Sequence, residues 1–164
     1  CIGRTWQCGT IQLDFQMPER FNITYVGPDG NQHRPVMLHR TVLGSLERFF
    51  GILIEHYAGA FPYWIAPTQV KIIPVKPEFE EYASKVEAQL KAWDVRVEMD
   101  LRDEKLGKKI RDAQLQKVPY MLVLGERERT EGALSVRERA LGDLGTMTLE
   151  AFRGRLSSEF DPRH

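Results

Sequence analysis

The 164 residues carry 23 basic and 23 acidic side chains and are 42% hydrophobic, the composition of a soluble globular chain long enough for one ordinary domain or two small ones. No apolar run approaches the roughly 18 residues of a membrane span, and no signal-peptide pattern opens the chain. With zero net charge, any RNA site must be a local patch, and two cysteines, Cys1 and Cys8, exclude a disulfide framework and fit a reducing compartment.

In chain order, Ile11, Leu13 and Phe15 alternate with Thr10, Gln12 and Asp14, which predicts a strand with one polar face. That face is either open to water or the floor of a site, since amides and hydroxyls orient a ligand without charge. Residues 21–26 predict a second strand, Gly27-Pro28-Asp29-Gly30 a turn, and residues 35–39 a short third strand. Leu43, Leu46, Phe50, Leu53, Ile54 and Tyr57 then recur at helical spacing, so residues 39–57 predict an amphipathic helix stopped by Gly59. A glycine inside a helix costs about 1 kcal/mol against alanine, so Gly44 marks a close approach to the backbone. Two readings stay open: helix-on-sheet packing, or a flat ligand over Gly44 reached by Arg48.

Gly59, Pro62 and Pro67 break the pattern, and Phe61, Tyr63 and Trp64 indicate packed chain. Beyond it come a β-rich run at 70–75, a helix at 78–93, a strand at 95–99 and a helix at 106–116. An apolar strand at 120–124, a polar turn at 125–132, a strand at 133–139 and a closing helix at 149–158 complete the reading. Such alternation predicts a largely parallel sheet with helices on its faces. Lys105, Lys108, Lys109, Arg111 and Lys117 gather around one helix, among Asp103, Glu104 and Asp112. Arg127, Arg129, Arg137 and Arg139 follow on the last hairpin. This is either a solvated face with internal ion pairs or an RNA surface. Cys1, Cys8, His33 and His39 lack zinc-finger spacing, with 24 residues between Cys8 and His33 where a finger has about twelve.

The run RPVMLHRTVLGSLERF resembles the third signature motif of class II aminoacyl-tRNA synthetases, in the form used by threonyl-tRNA synthetases. WQCGTIQLDF upstream and FPYWIAPTQV, DLRDEKLGKKIR and VPYMLVLG downstream resemble the same family, in order and at fitting distances. The resemblance covers nearly the whole chain and weakens near the C-terminus. It implies the antiparallel-sheet end of a class II catalytic domain at 1–60, a linker at 61–68, and a small α/β anticodon-binding domain with a five-stranded mixed sheet at 69–164. The absence of an initiator Met fits a piece of something longer.

By the same resemblance the activity is ATP-dependent activation of threonine, with Mg2+, and transfer to tRNA(Thr), in a cytoplasmic homodimer. Gln7, Thr10 and Gly44 would lie by the ATP, Gln12 by the amino acid, and Arg48 would stack on adenine, as a planar guanidinium can. His39 would be one of three protein ligands of a zinc ion, the other two lying upstream. An oxygen-demanding Lewis acid separates threonine from its isostere valine, which an apolar pocket does poorly. Lys105, Arg111, Lys117, Glu128 and Arg137 would face the anticodon, read as single-stranded bases are read, at their edges. Asp103 and Lys117 depart from the Asn and Arg that the family can use there. The alternative is a synthetase-like module that binds tRNA or another partner without catalysis.

Overall fold

A computed structural model describes residues 3–159, so Cys1 lies outside the described residues, and the chain divides into two units, Cys1–His56 and Tyr57–His164. In the first, strand β1 (Thr10–Asp14) runs into a short helix α1 (Gln16–Arg20), begun where the Asp14 carboxylate accepts the N–H groups of Gln16 and Met17. Strands β2 (Tyr25–Val26) and β3 (Gln32–His33) close a small hairpin over the predicted turn, where Gly30 N–H donates to the Gly27 carbonyl. Strand β4 (Met37–Thr41) returns antiparallel to β1, with Gln12 opposite His39 and Leu13 opposite Leu38. Helix α2 (Leu46–Tyr57) follows.

The second unit carries a five-stranded mixed sheet of β5 (Val70–Pro74), β6 (Val97–Met99), β7 (Tyr120–Leu124), β8 (Ala133–Glu138) and β9 (Gly142–Thr148), in the order β6-β5-β7-β8-β9. The β5 pairs are parallel and the rest antiparallel. Alternation sorts the side chains. Val70, Ile72, Tyr120, Leu122, Leu124, Leu134 and Val136 point to one face, under α3 (Glu80–Ala92) and α6 (Leu149–Glu159), whose Ala83, Val86, Leu90, Phe152 and Leu156 complete the main core. Ile73 and Met121 point the other way and receive Ala113 of α4 (Leu106–Leu115), with Leu106 and Ile110 alongside. A further helix, α5 (Glu126–Glu131), joins β7 to β8.

Several expectations are corrected. Helix α2 starts at Leu46, so His39 is on a strand, and Gly44 sits before the helix at φ 71°. A backbone position that nearly only glycine takes without strain explains that residue, rather than a close approach inside a helix. The second strand shrinks to two residues, and the strands expected at 10–15, 21–26 and 35–39 do not share one sheet but fall into two separate two-stranded ones. Residues 125–132 are not a bare turn: the Glu128 carboxylate accepts the Gly125 N–H at 2.9 Å, and the pairs Arg127–Glu131 and Arg129–Glu126 hold α5 together. Arg127 and Arg129 therefore leave the hairpin. Strand β9, which the alternation of helix and strand did not predict, adds the fifth strand, and the antiparallel β7–β8 and β8–β9 pairs make the sheet mixed.

Leu122 is fully buried at the centre of the main core. Leu122→Ala is expected to lower the unfolding free energy of this unit by about 2–5 kcal/mol, read from the urea midpoint.

Candidate functional site

In the first unit, Thr10, Gln12 and Asp14 of β1 share one face with Thr41, His39 and Met37 of β4, because directly opposed residues point the same way. Gln7 Nε2 donates to Thr10 Oγ1 at 3.1 Å, and His39 Nε2 lies 3.1 Å from Asp14 Oδ2. The structure thus brings Gln7, Thr10, Gln12 and His39 together on one polar surface. It adds Asp14, which sequence reasoning did not select although alternation had already put it on that face. Its carboxyl is held below the ordinary carboxylate range by the Met17 N–H, with a further contribution from His39. Gly44 lies next to the Cys8 carbonyl: a Cβ there would come within 3.7 Å of that oxygen.

Arg48 stands in the first turn of α2, where the Ser45 hydroxyl receives its N–H. Its guanidinium carbon lies over the Trp6 indole, 4.9 Å from the centroid, and Arg4 approaches the same ring at 5.7 Å. Trp6 precedes the first strand, outside any periodic pattern, so nothing in the sequence singled it out. Among the described residues, no group of three His, Cys, Asp or Glu side chains is placed to hold a metal ion. His33 is engaged by Asp29 at 2.8 Å. His39 with a carboxylate on one ring nitrogen fits a single ligand imidazole oriented by its neighbour, with no further ligands grouped around it among the described residues.

In the second unit, Lys105 precedes α4 and Arg111 is exposed on it, while Lys117 lies just past its end. Arg137 of β8 lies opposite Met121, which packs against α4, so its guanidinium and the helix share a face of the sheet. Lys117 takes φ 57°, its carbonyl accepts from Arg139 Nη1 at 2.7 Å, and its ammonium donates to the Ala58 carbonyl. A hollow of about 310 Å³ lies beside it, lined in part by Phe61, Thr68, Glu98 and Gln116. Glu128 is further off, on α5, with its carboxylate in the helix cap. Arg102, inside the DLRDEKLGKKIR segment but not selected from it, forks onto Asp100 (2.9 and 2.6 Å) and reaches Asp112 at 2.9 Å.

Residues 69–159 match the family described as "Anticodon binding domain". The chain belongs to that family. Residues 1–57 match the "tRNA synthetase class II core domain (G, H, P, S and T)". Over 163 residues the chain is 61% identical to the threonine–tRNA ligase of Clostridium tetani, and over 159 residues 62% identical to that of Clostridium acetobutylicum. The alignments cover 99% and 97% of this chain but 26% and 25% of those proteins, so the chain spans about a quarter of their length. The crystal structure of the RNA binding domain of threonyl-tRNA synthetase from Cryptosporidium parvum Iowa II superposes with a TM-score of 0.87 at 38% identity, covering 97% of this chain and 40% of that one. Prolyl-tRNA synthetase of Cryptosporidium parvum shares the fold, with a TM-score of 0.73 at 23% identity. Among the described residues, no helix is long and apolar enough to cross a membrane.

Arg102 holds the Asp100 carboxyl below the ordinary carboxylate range. A carboxyl depressed in the folded state adds stability above its unfolded value of about 3.9, lost as pH falls through the folded value. Carbon-detected NMR is expected to show Asp100 titrating below the exposed aspartates, and Arg102→Ala to move that titration upward.

Proposed function

We propose that this chain is the C-terminal portion of a threonine–tRNA ligase, contributing one wall of the aminoacylation site and the domain that reads the anticodon. The observation that carries the first part is the shared polar face of Thr10, Gln12 and His39. It is joined to identities near 61% along almost the whole chain with proteins named for that activity.

The reaction begins with in-line attack of the threonine carboxylate on the α-phosphorus of ATP. An oxygen–phosphorus bond forms, the bond from the α-phosphorus to the bridging oxygen of the β-phosphate breaks, and pyrophosphate leaves with the bonding electron pair. The adenylate then passes threonine to the 3′ end of tRNA(Thr). Catalysis of this kind is chiefly positioning and charge stabilisation. Gln7 and Thr10, already hydrogen-bonded to each other, offer amide and hydroxyl groups to the nucleotide, and Gln12 offers an amide to the threonine ammonium. Arg48, backed by Trp6 on one side, presents its other face to adenine, with Gly44 leaving room. His39, oriented by Asp14, would be this chain's ligand to Zn2+, which when bound supplies a Lewis acid that selects the threonine hydroxyl.

The opposite face of the β1–β4 pair supports a larger core. Ile11, Leu13 and Leu38 are more than 60% exposed, and α2 buries no residue, as expected of apolar surface against which further protein packs. Family precedent adds a homodimer and a cytoplasmic location. For the second unit, Lys105, Arg111, Lys117, Glu128 and Arg137 are the proposed anticodon-facing residues.

In the full-length polypeptide, Arg48→Ala is expected to slow ATP–pyrophosphate exchange by roughly two orders of magnitude while leaving the affinity for tRNA near normal. Exchange at the parental rate would remove Arg48 from the site. Conversely, Arg137→Ala is expected to cost about 1–3 kcal/mol in tRNA(Thr) binding and to leave pyrophosphate exchange intact. RNA affinity without any exchange activity in the parent would favour the non-catalytic module.

A further inference from the structure

Helix α4 packs on the sheet of the second unit through a thin apolar seat. Among the described residues the opposite face of the sheet has a cluster of fourteen buried side chains, whereas the α4 cluster has three: Ile73, Ala113 and Met121. So small a contact leaves a helix free to slide or roll by fractions of an ångström, and base-edge contacts tolerate little of that. What fixes α4 is polar. The Asp100 N–H donates to the Ile72 carbonyl of β5 at 2.9 Å, and the Asp100 side chain is 2% exposed. Arg102 spends Nε and Nη2 on that carboxylate and Nη1 on Asp112 of α4. Lys109 of the same helix, itself buried, donates Nζ to the Asp100 carbonyl at 3.2 Å. A continuous line of hydrogen bonds therefore runs from the sheet backbone to the residue next to Arg111.

We propose that Asp112, gripped by Arg102, is a positioning residue for anticodon discrimination: the pair sets where Arg111 sits without touching RNA. This rests on the anticodon reading of α4. The pair is half-exposed on the Arg102 side and 29% exposed on the Asp112 side. Such pairs add little to global stability, so their loss shows in position before it shows in folding. Removing Asp112 also leaves the buried Asp100–Arg102 fork intact, with no buried charge stranded.

The test uses the full-length polypeptide and two RNAs: an anticodon stem-loop of tRNA(Thr), and the same stem-loop with its anticodon bases permuted. For Asp112→Ala the ratio of the two dissociation constants is expected to fall about tenfold, the scale of one base contact. Affinity for the permuted loop should stay level or rise, since an acidic group near the phosphates has gone. The thermal midpoint is expected to stay within a few degrees of the parent, and Asp112→Glu to restore the ratio. An unchanged ratio in Asp112→Ala, with a lowered ratio in Arg111→Ala, overturns the positioning role and leaves the anticodon reading standing. A ratio indifferent to Arg111→Ala and Arg137→Ala as well overturns that reading, and this inference with it. Loss of discrimination accompanied by a collapsed midpoint and no rescue by Glu assigns the pair to folding alone and also overturns it.

Discussion

Helix α4 buries Ala113 fully and Leu106 and Ile110 only in part, so polar groups must supply the rest of its hold on the sheet. Along its middle, Lys109 and, through the Arg102 bridge to Asp100, Asp112 tie it to the end of β6. Toward its finish, the nearly buried Lys71 of β5 donates to Gln116 at 2.9 Å and to Glu98 at 3.1 Å. Lys71 points to the α4 face because its neighbours Val70 and Ile72 fill the other, and an ammonium there needs acceptors. The same clamp lies beside the hollow next to Lys117. The cationic side chains around this helix thus sit on a frame whose directions are set by hydrogen bonds, which are directional, rather than by burial, which is not.

The first unit solves a different problem with the same alternation rule. Two strands in register place hydroxyl, amide, carboxylate and imidazole on one side and Ile11, Leu13, Leu38 and Arg40 on the other. The polar side needs no neighbour to be ordered, because Gln7 reaches Thr10 and Asp14 reaches both His39 and the start of α1. The apolar side remains open. A two-stranded ribbon is marginal alone, so its exposed aliphatic residues are the physical reason to assign it to a larger sheet.

Much of this was legible in the sequence, and the failures have identifiable causes. Strands β1, β7 and β8 and the extents of α4 and α6 follow from periodicity, since burial on one face writes itself directly into the residue pattern. The start of α2 did not, because Leu43 fits a helical stripe while Gly44, at φ 71°, is a turn residue. Helix α5 hid behind its charges: ERERTE has no apolar stripe to bury, and i,i+3 and i,i+4 ion pairs hold it instead. Strand β9 hid behind its glycines, Gly142 and Gly145, at φ 77° and 78° beside the bulge opposite Val136 and Arg137. Arg48 and His39 were visible as residues but their partners were not: Trp6 is distant in sequence and sits in no pattern, and only β1–β4 pairing brings Asp14 to His39.

The two departures from the family pattern carry unequal weight once their surroundings are known. Asp103 lies in an exposed stretch near Arg102 and Glu104, so under the proposed anticodon reading a carboxylate in place of an amide there costs a donor and adds repulsion toward phosphate. Lys117 is better compensated. Its left-handed backbone is pinned through its carbonyl by Arg139, and its ammonium gives one of three protons to Ala58, leaving two to donate. The planar fork of an arginine is absent at that position, but Arg139 places a guanidinium against its backbone. Under the proposed anticodon reading, recognition at this corner depends on how the pair is held together, and the pair is held by the same end of α4 that Lys71 and Gln116 secure.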